Sequence, residues 1–67
     1  MSIARVTEIS STSPNGFDDA IRQGIARAAQ TLRGITSAWV KDQNVMIDDG
    51  NIAEFRVSLL VTFVLEE

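Results

Sequence analysis

The chain has 67 residues, a net charge of −3, no cysteine and no histidine. A chain of this length forms one small domain that buries only about 60% of its unfolded surface, so oligomerisation commonly supplies the missing stability. The absent residue types exclude disulfides, metal sites built on thiolate or imidazole ligands, cysteine nucleophiles and serine–histidine–aspartate catalysis.

The charge pattern and the hydropathy argue against two classes of partner. The basic residues are dispersed along the chain, whereas a nucleic-acid-binding domain has a clustered basic face. No apolar run reaches the roughly 18 residues of a membrane span, and residues 1–5 lack the layout of a signal peptide. We therefore expect no nucleic-acid partner, no membrane partner and a cytoplasmic location for one domain of residues 1–67.

The beginning of the chain predicts a strand followed by the start of a helix. Residues 3–10 are expected to form the strand, and the hydroxyl-rich segment 10–13 to end it. Thr12 or Ser13 is expected to cap the helix, with Pro14 at the first helical position. The connection between the two elements is therefore expected to be very short.

The helix itself is predicted from its periodicity. Apolar residues and one glycine recur at steps of three and four, which indicates one helical stripe: Phe17, Ala20, Ile21, Gly24, Ile25, Ala28 and Leu32. Arg33 and Gly34 are expected to end the helix, with a cation in the last turn and a glycine in the left-handed cap.

Two further strands are predicted in the second half, at residues 35–47 and 55–65, joined by a turn at residues 48–51. The last strand is apolar at every odd position. At about 36 Å it is longer than a compact domain of this size, which is about 28 Å across. We therefore expect it to extend past its own domain and to contact another chain. Glu66 and Glu67 are expected to form a solvated terminus.

These elements predict an α+β fold of order β-α-β-β, with a three-stranded antiparallel sheet and one helix on one of its faces. The helix is expected to pack on the odd positions of the last strand. The expected contacts join Phe17, Ile21, Ile25 and Leu32 to Val57, Leu59, Val61 and Phe63.

The sheet face turned away from the helix is the candidate functional surface. Strict alternation in the second strand puts Ser37, Trp39 and Gln43 together, beside Arg56 of the last strand. Apolar and hydrogen-bonding groups are mixed there, as in an interface or a ligand pocket. Trp39 either packs against protein or stacks on a planar ligand. Arg56 is either a surface charge or an interface cation with a carboxylate partner.

Two short motifs offer oxygen or hydroxyl groups. Asp48 and Asp49 could hold a hard cation, but they lack the spacing of an EF-hand loop and a plain turn is favoured. The hydroxyl cluster at residues 10–13 has no neighbouring base and is interpreted as a cap and turn.

Several stretches of the chain resemble the dodecin family. They are RVTEI at residues 5–9, TSPNG at 12–16, AI at 20–21, ARA at 26–28, TLR at 31–33 and VTFVLE at 61–66. The resemblance covers nearly the whole chain and implies a β-α-β-β subunit whose sheet wraps around its helix. It also implies a hollow homododecamer of cubic-type symmetry. Dodecins are non-catalytic and typically bind riboflavin or FMN as stacked pairs at two-fold axes, for storage, buffering and quenching. Some also bind coenzyme A.

Two positions depart from the flavin-binding pattern that the resemblance implies. The tryptophan that stacks on the flavin ring corresponds to Ser37, and the glutamine that bonds the ring edge corresponds to Arg56. Trp39 lies two residues further on and could partly substitute for the missing ring. The chain is closer to the dodecins that lack this tryptophan and carry an arginine in the last strand. At least one of those is described as calcium-binding.

We therefore expect a non-catalytic binding or storage protein that assembles with itself as a homododecamer. Its ligand is expected to be a small planar or anionic molecule, with weak binding of FMN or riboflavin. The expected binding residues are Ser37, Trp39, Gln43 and Arg56, together with Asp42 beside the polyol chain of the ligand. The alternative is a structural or calcium-binding assembly without flavin that uses carboxylates such as Asp48 and Asp49.

Overall fold

The computed structural model describes residues 2–65, so the expectation for Glu66 and Glu67 lies outside the described residues. The elements are β1 (Ala4–Ser13), α1 (Phe17–Ala28), β2 (Ile35–Asp48) and β3 (Asn51–Val64). β3 lies at the centre of one sheet and pairs antiparallel with β1 on one side and with β2 on the other. The predicted α+β fold of order β-α-β-β is confirmed.

The core lies between α1 and the odd positions of β3. Val57, Leu59 and Val61 are fully buried there together with Ala20 of the helix. The side chains that pack against this cluster are Ile9, Phe17, Ile21, Ile25, Leu32 and Ile35. The expected packing of the helix on β3 is therefore confirmed for Val57, Leu59 and Val61. Phe63 lies further along β3 and is only half-buried.

β1 and the start of the helix differ from the prediction. β1 continues to Ser13 instead of ending at residue 10, because its pairing with β3 extends to Phe55. The helix begins at Phe17, with Gly16 as the N-cap residue at a φ of 130°. The expected cap at Thr12 or Ser13 and the helical position of Pro14 are therefore wrong.

Ser13 has another role at this junction. It is buried, its hydroxyl oxygen accepts a hydrogen bond from the backbone N–H of Asn15 at 3.0 Å, and its hydroxyl donates to the carboxylate of Asp19. Asp19 lies in the first turn of α1. Ser13 thus ties the end of β1 to the first turn of the helix.

The helix also ends earlier than expected, at Ala28. A hydrogen-bonded turn outside the regular helix follows, in which the N–H of Leu32 donates to the carbonyl of Ala28 at 2.8 Å. Gly34 has the expected left-handed conformation, with a φ of 76°. It contacts the end of β3 and does not form the cap of the helix. Its carbonyl accepts a hydrogen bond from the N–H of Val64 at 3.0 Å, and a Cβ atom would lie 3.0 Å from the Val64 carbonyl oxygen.

β2 and β3 form a long hairpin with a two-residue turn. Asp49 and Gly50 have φ angles of 51° and 78°, the pair of positive values that a type I′ turn requires. This turn pairs Asp48 with Asn51, so β3 begins four residues earlier than predicted. The expected turn at residues 48–51 is confirmed, and β3 is longer than the sequence indicated.

The molecule is elongated, with extents of 51 × 19 × 14 Å and a radius of gyration of 13.7 Å. The surface is 4942 Å², whereas a compact chain of this mass exposes roughly 4,200 Å². The 12-residue helix is about 18 Å long and lies over β1 and β3, whereas a 14-residue strand is about 46 Å long. The expected overhang is therefore present.

The large apolar side chains exposed in the single chain are Ile3, Val6, Trp39, Val40, Met46, Ile47, Ile52 and Leu65. Among residues 2–65, no helix has the length and apolar character that crossing a bilayer requires.

Candidate functional site

The outer face of the sheet is the side turned away from α1. The alternation of side chains along β3 identifies the residues that lie on it. Val57, Leu59 and Val61 are buried beneath the helix, so the residues between them point the opposite way. These outer-face residues of β3 are Arg56, Ser58, Leu60 and Thr62. All are half-buried although no helix covers them, because β1 and β2 flank β3 on both sides.

The pairing register identifies the neighbours on the same face. β2 places Ser37 opposite Thr62, Trp39 opposite Leu60, Asp42 opposite Ser58 and Asn44 opposite Arg56. On the other side of β3, the opposing residues of β1 are Val6, Glu8, Ser10 and Thr12. Directly opposed residues of an antiparallel pair have their Cβ atoms about 4.5–5.5 Å apart and share a face.

A bulge in β2 determines which predicted residues meet. Val40 pairs with Leu59 and Asp42 with Ser58, so Lys41 is an extra residue in the strand. The alternation therefore reverses after Lys41. Asp42 moves to the outer face, and Gln43 moves to the opposite face, opposite the buried Val57.

The outer face thus brings together four of the five predicted site residues, Ser37, Trp39, Asp42 and Arg56, and separates Gln43 from them. It also adds Asn44, which the prediction omitted. The sequence did contain a signal for the bulge. The apolar residues of β2 that lie opposite helix-side positions of β3 are Ile35, Ala38, Val40 and Val45. Their parity changes between Ile35 and Ala38, and it changes again between Val40 and Val45.

Trp39 is the most prominent group on this face. Its side chain is 72% exposed in the single chain and lies on an edge strand beside Leu60. Ser37 lies about 7 Å away along β2, two residues before it. An exposed indole next to an apolar neighbour can stack on a planar ring or pack against another subunit.

Arg56 lies further from Trp39 along the outer face than the sequence suggested. Leu60, the neighbour of Trp39, is four residues from Arg56 along β3, or about 13 Å. The row of Asp42 and Ser58 lies between them. A ligand stacked on Trp39 therefore reaches Arg56 of the same subunit only through an extended substituent.

One ion pair crosses the outer face. Lys41 Nζ lies 3.3 Å from Glu8 Oε1, and each side chain is 51% exposed. Because β1 and β2 flank β3, this pair spans the central strand and neutralises both charges. It is the one ion pair within residues 2–65, so Arg56 and Asp42 have no salt-bridge partner in that range.

Among residues 2–65, the remaining carboxylates include one with a shifted pKa, Asp19, and form no metal cluster. The Ser13 hydroxyl is the largest cause of a pKa for Asp19 below its ordinary value of 3.8, which desolvation opposes and Gln23, Asn15 and Arg22 reinforce. This group lies at the start of α1, away from the outer face. Residues 2–65 contain no group of three or more potential metal-ligating side chains, so Asp48 and Asp49 lack a third ligand in that range.

Comparison with known proteins identifies a family. The dodecin family model matches residues 3–66. A dodecin of Thermus thermophilus is 35% identical over 65 residues, covering 97% of this chain and 94% of the relative. A protein named calcium dodecin, from Mycobacterium tuberculosis, is 30% identical over 63 residues, covering 94% of this chain and 89% of the relative.

Solved structures agree with this result. A dodecin from Streptomyces davaonensis has a TM-score of 0.94 at 44% identity and covers 98% of this chain and 97% of its own. The crystal structure of the Mycobacterium tuberculosis calcium dodecin, described as having a novel calcium-binding site, has a TM-score of 0.84 at 30% identity. That match covers 97% of this chain and 93% of the other.

Proposed function

The chain belongs to the dodecin family, and from this premise we propose that it is a non-catalytic protein that binds and stores a small planar ligand. In this proposal residues 1–67 form one dodecin domain, and twelve copies assemble into a hollow shell. A cytoplasmic location stays a prediction from the sequence.

The observation that carries the proposal is Trp39. A tryptophan that is 72% exposed on an edge strand, beside the apolar Leu60, is costly to leave in water. A second subunit and a bound aromatic ring are the two groups that would cover it. Self-assembly and ligand binding therefore use the same part of the outer face.

The ligand we propose is a flavin held weakly, with FMN favoured over riboflavin. Trp39 offers one face for ring stacking, which contributes about 1 kcal/mol beyond the buried area. Asp42 lies between Trp39 and Arg56, where its carboxylate can accept hydrogen bonds from polyol hydroxyls. Arg56 lies beyond it as a cation without a salt-bridge partner within residues 2–65, which suits a terminal phosphate. Gln43 is left out of this site because it lies on the opposite face of its subunit.

A second candidate function is a cation-holding assembly. It is favoured by the relative named calcium dodecin and by the exposed carboxylates of Asp48 and Asp49 at the hairpin turn. Calcium takes six to eight oxygen ligands, so other subunits would have to complete such a site. Calorimetric titration of calcium into chelator-treated protein tests this candidate, and the absence of heat at millimolar calcium would eliminate it.

The flavin proposal is tested by fluorescence-quenching titration of FMN and riboflavin. Trp39→Leu should weaken the binding of both, because it keeps an apolar side chain but removes the ring. Val40→Ala, a neighbouring change on the opposite face of β2, should leave the affinity unchanged. Arg56→Gln should abolish the preference for FMN, whereas Lys41→Gln should keep it because Glu8 already pairs with Lys41. Equal binding of both flavins to Trp39→Leu and wild type would refute the site.

A further inference from the structure

The row of outer-face residues that contains Trp39 ends in an ion pair on the far side of the sheet. Leu60 of β3 pairs with Trp39 of β2 on one side and with Glu8 of β1 on the other. These three residues, here named the Trp39 row, share the outer face, because directly opposed residues of an antiparallel pair point the same way. Neighbouring strands are about 4.8 Å apart, so Glu8 and Trp39 are about 10 Å apart across the strands.

Lys41 completes this arrangement from the bulge in β2. Its Nζ atom donates to Glu8 Oε1 at 3.3 Å, so its aliphatic stem crosses β3 to reach β1. Lys41 lies between Val40 and Asp42 on β2, so the stem borders the Trp39 row on the side of Ser58. The row therefore has an indole at one end, an apolar side chain in the middle and a carboxylate held by a cation at the other end.

The Glu8 carboxylate keeps most of its hydrogen-bonding capacity. An ionised carboxylate has two oxygen atoms that together accept about four hydrogen bonds. Within residues 2–65 the Glu8 side chain accepts one side-chain hydrogen bond, from Lys41, and it is 51% exposed. Glu8 is therefore able to accept a further hydrogen bond from a molecule that lies on the Trp39 row.

The polar edge of a flavin ring requires an acceptor of this kind. The edge presents a ring N–H between two carbonyl groups, an arrangement called an imide, and leaving this N–H without a partner on binding is costly. The glutamine that the family pattern implies at residue 56 can both donate and accept hydrogen bonds. Arg56 has five N–H donors and no acceptor. Arg56 therefore cannot bind the imide N–H, and the acceptor has to be another residue.

Glu8 and Asp42 are the two outer-face carboxylates that flank the Trp39 row. Asp42 follows Trp39 by three residues on β2, so a ring directed towards it runs along the edge strand and leaves Leu60 uncovered. A ring directed towards Glu8 crosses β3 and covers Leu60, which adds apolar burial to the stacking on Trp39. The polyol chain leaves the middle ring of a flavin roughly at a right angle to the long axis. A ring that lies across the strands therefore directs this chain along them, towards Asp42 and Arg56.

We propose that Glu8 determines the ligand specificity of the Trp39 row by accepting a hydrogen bond from the imide N–H of a planar ring. Lys41 acts as a positioning residue that holds the Glu8 carboxylate at the end of the row. The ligand class is a planar ring system with a cyclic imide edge, to which flavins belong. This inference rests on the flavin binding in the proposed function and specifies which residue recognises the ring and how the ring is oriented.

Titration with riboflavin and with N3-methylriboflavin tests this assignment, because the added methyl group removes the imide N–H and keeps the stacking plane. In fluorescence quenching, wild-type protein should bind the methylated flavin roughly tenfold more weakly, since one hydrogen bond to a charged group is lost. Glu8→Gln keeps a neutral acceptor and should reduce the difference to about threefold. Glu8→Met should bind both flavins equally. Lys41→Arg should keep the wild-type difference, whereas Lys41→Met should reduce it.

The matched control is Asp18→Asn, which removes one exposed negative charge in the first turn of α1 and should keep the affinity for both flavins. Native mass of each variant is measured first, and Glu8→Leu replaces Glu8→Met if that variant has a mass different from wild type. Equal binding of both flavins to wild type, or a difference that persists without the Glu8 carboxylate, would overturn the role of Glu8 and leave the proposed function standing. Wild-type protein that binds neither flavin would instead refute the flavin proposal on which the inference rests.

Discussion

Trp39 and Ser37 occupy neighbouring outer-face positions of β2, yet only Trp39 carries a ring. The sequence pattern of flavin-binding dodecins implies a tryptophan at the Ser37 position and a glutamine at the Arg56 position. Ser37 lies opposite Thr62 and Trp39 lies opposite Leu60, so Ser37 and Trp39 belong to the same face of the sheet. The weak flavin binding that we propose follows from this exchange of side chains.

Restoring both residues should strengthen flavin binding. The double variant Ser37→Trp with Arg56→Gln adds a stacking ring and a neutral hydrogen-bond partner, each contributing about 1 kcal/mol or somewhat more. The sum of about 2–3 kcal/mol corresponds to roughly 30- to 150-fold in affinity for riboflavin. Fluorescence-quenching titration measures the change, with Thr36→Trp as a control that adds a ring outside the predicted pair. No gain in the double variant would show that the site does not follow the family pattern.

Acid should weaken the contact between the Ser13 hydroxyl and the Asp19 carboxylate. The Ser13 hydroxyl lowers the pKa of Asp19 in the folded state, so this contact adds stability above the ordinary pKa of 3.8. That stability is lost as the pH falls through the lower, folded-state pKa. The difference in thermal midpoint between wild type and Ser13→Ala should therefore be largest near neutral pH and shrink on acidification.

The residual difference at low pH should reflect the hydrogen bond from the Asn15 N–H to Ser13, which does not titrate. Thr12→Ala, the exposed outer-face neighbour, should show a small difference that does not change with pH. Thermal midpoints at one protein concentration between pH 6 and pH 2 measure both variants. A difference for Ser13→Ala that grows on acidification would contradict the assignment.

At the scale of elements, the close approach of α1 to the sheet depends on Gly24. A Cβ atom at this position would lie 3.0 Å from Ser11 Cβ and 3.3 Å from Leu59 Cδ1. Gly24→Ala gains about 1 kcal/mol of helix propensity but overpacks the interface, which costs about 1–3 kcal/mol. We expect a net loss of about 1 kcal/mol in chemical denaturation. Arg22→Ala, an exposed change on the same helix, should stay within about 0.5 kcal/mol of wild type, and a stabilised Gly24→Ala would refute the packing.

The strands and the helix differ in how far the sequence predicts them. The alternation of β3 predicts its buried face, and the helical stripe predicts its partner, because both depend on local periodicity. The end of β1 was missed because Ser13 is kept in the strand by pairing with Phe55, which is distant in sequence. The end of α1 differs from the prediction because the apolar stripe continues to Leu32 through a hydrogen-bonded turn that follows the regular helix.

The candidate site was predictable only in part, because local alternation predicts which residues share a face but distant pairing decides the register. Trp39, Ser37 and Arg56 share the outer face as expected, because alternation holds from Ser37 to Val40, but Arg56 lies about 13 Å further along it. Gln43 and Asp42 exchange faces because Lys41 is an extra residue in a bulge, and the register of β2 against β3 decides where that residue lies. The change of parity between Val40 and Val45 indicates a bulge, but it does not show which residue between them is the extra one.

On the scale of the whole molecule, the single chain has little interior. Within residues 2–65 the buried apolar residues are Ala20, Ala28, Val57, Leu59 and Val61. The chain is 51 Å long, and neither the outer face nor the end of the β2–β3 hairpin at residues 46–54 is covered by α1 or β1. Folding and association should therefore be coupled, so the thermal midpoint should fall on dilution when dissociation is reversible.

We propose that this chain functions as an assembled homododecamer, and the native mass of the purified wild-type protein is the decisive test. Native mass spectrometry or light scattering at micromolar concentration should give a single particle close to twelve times the chain mass of 7.3 kDa. A stable, folded particle with the mass of one chain would contradict the claim.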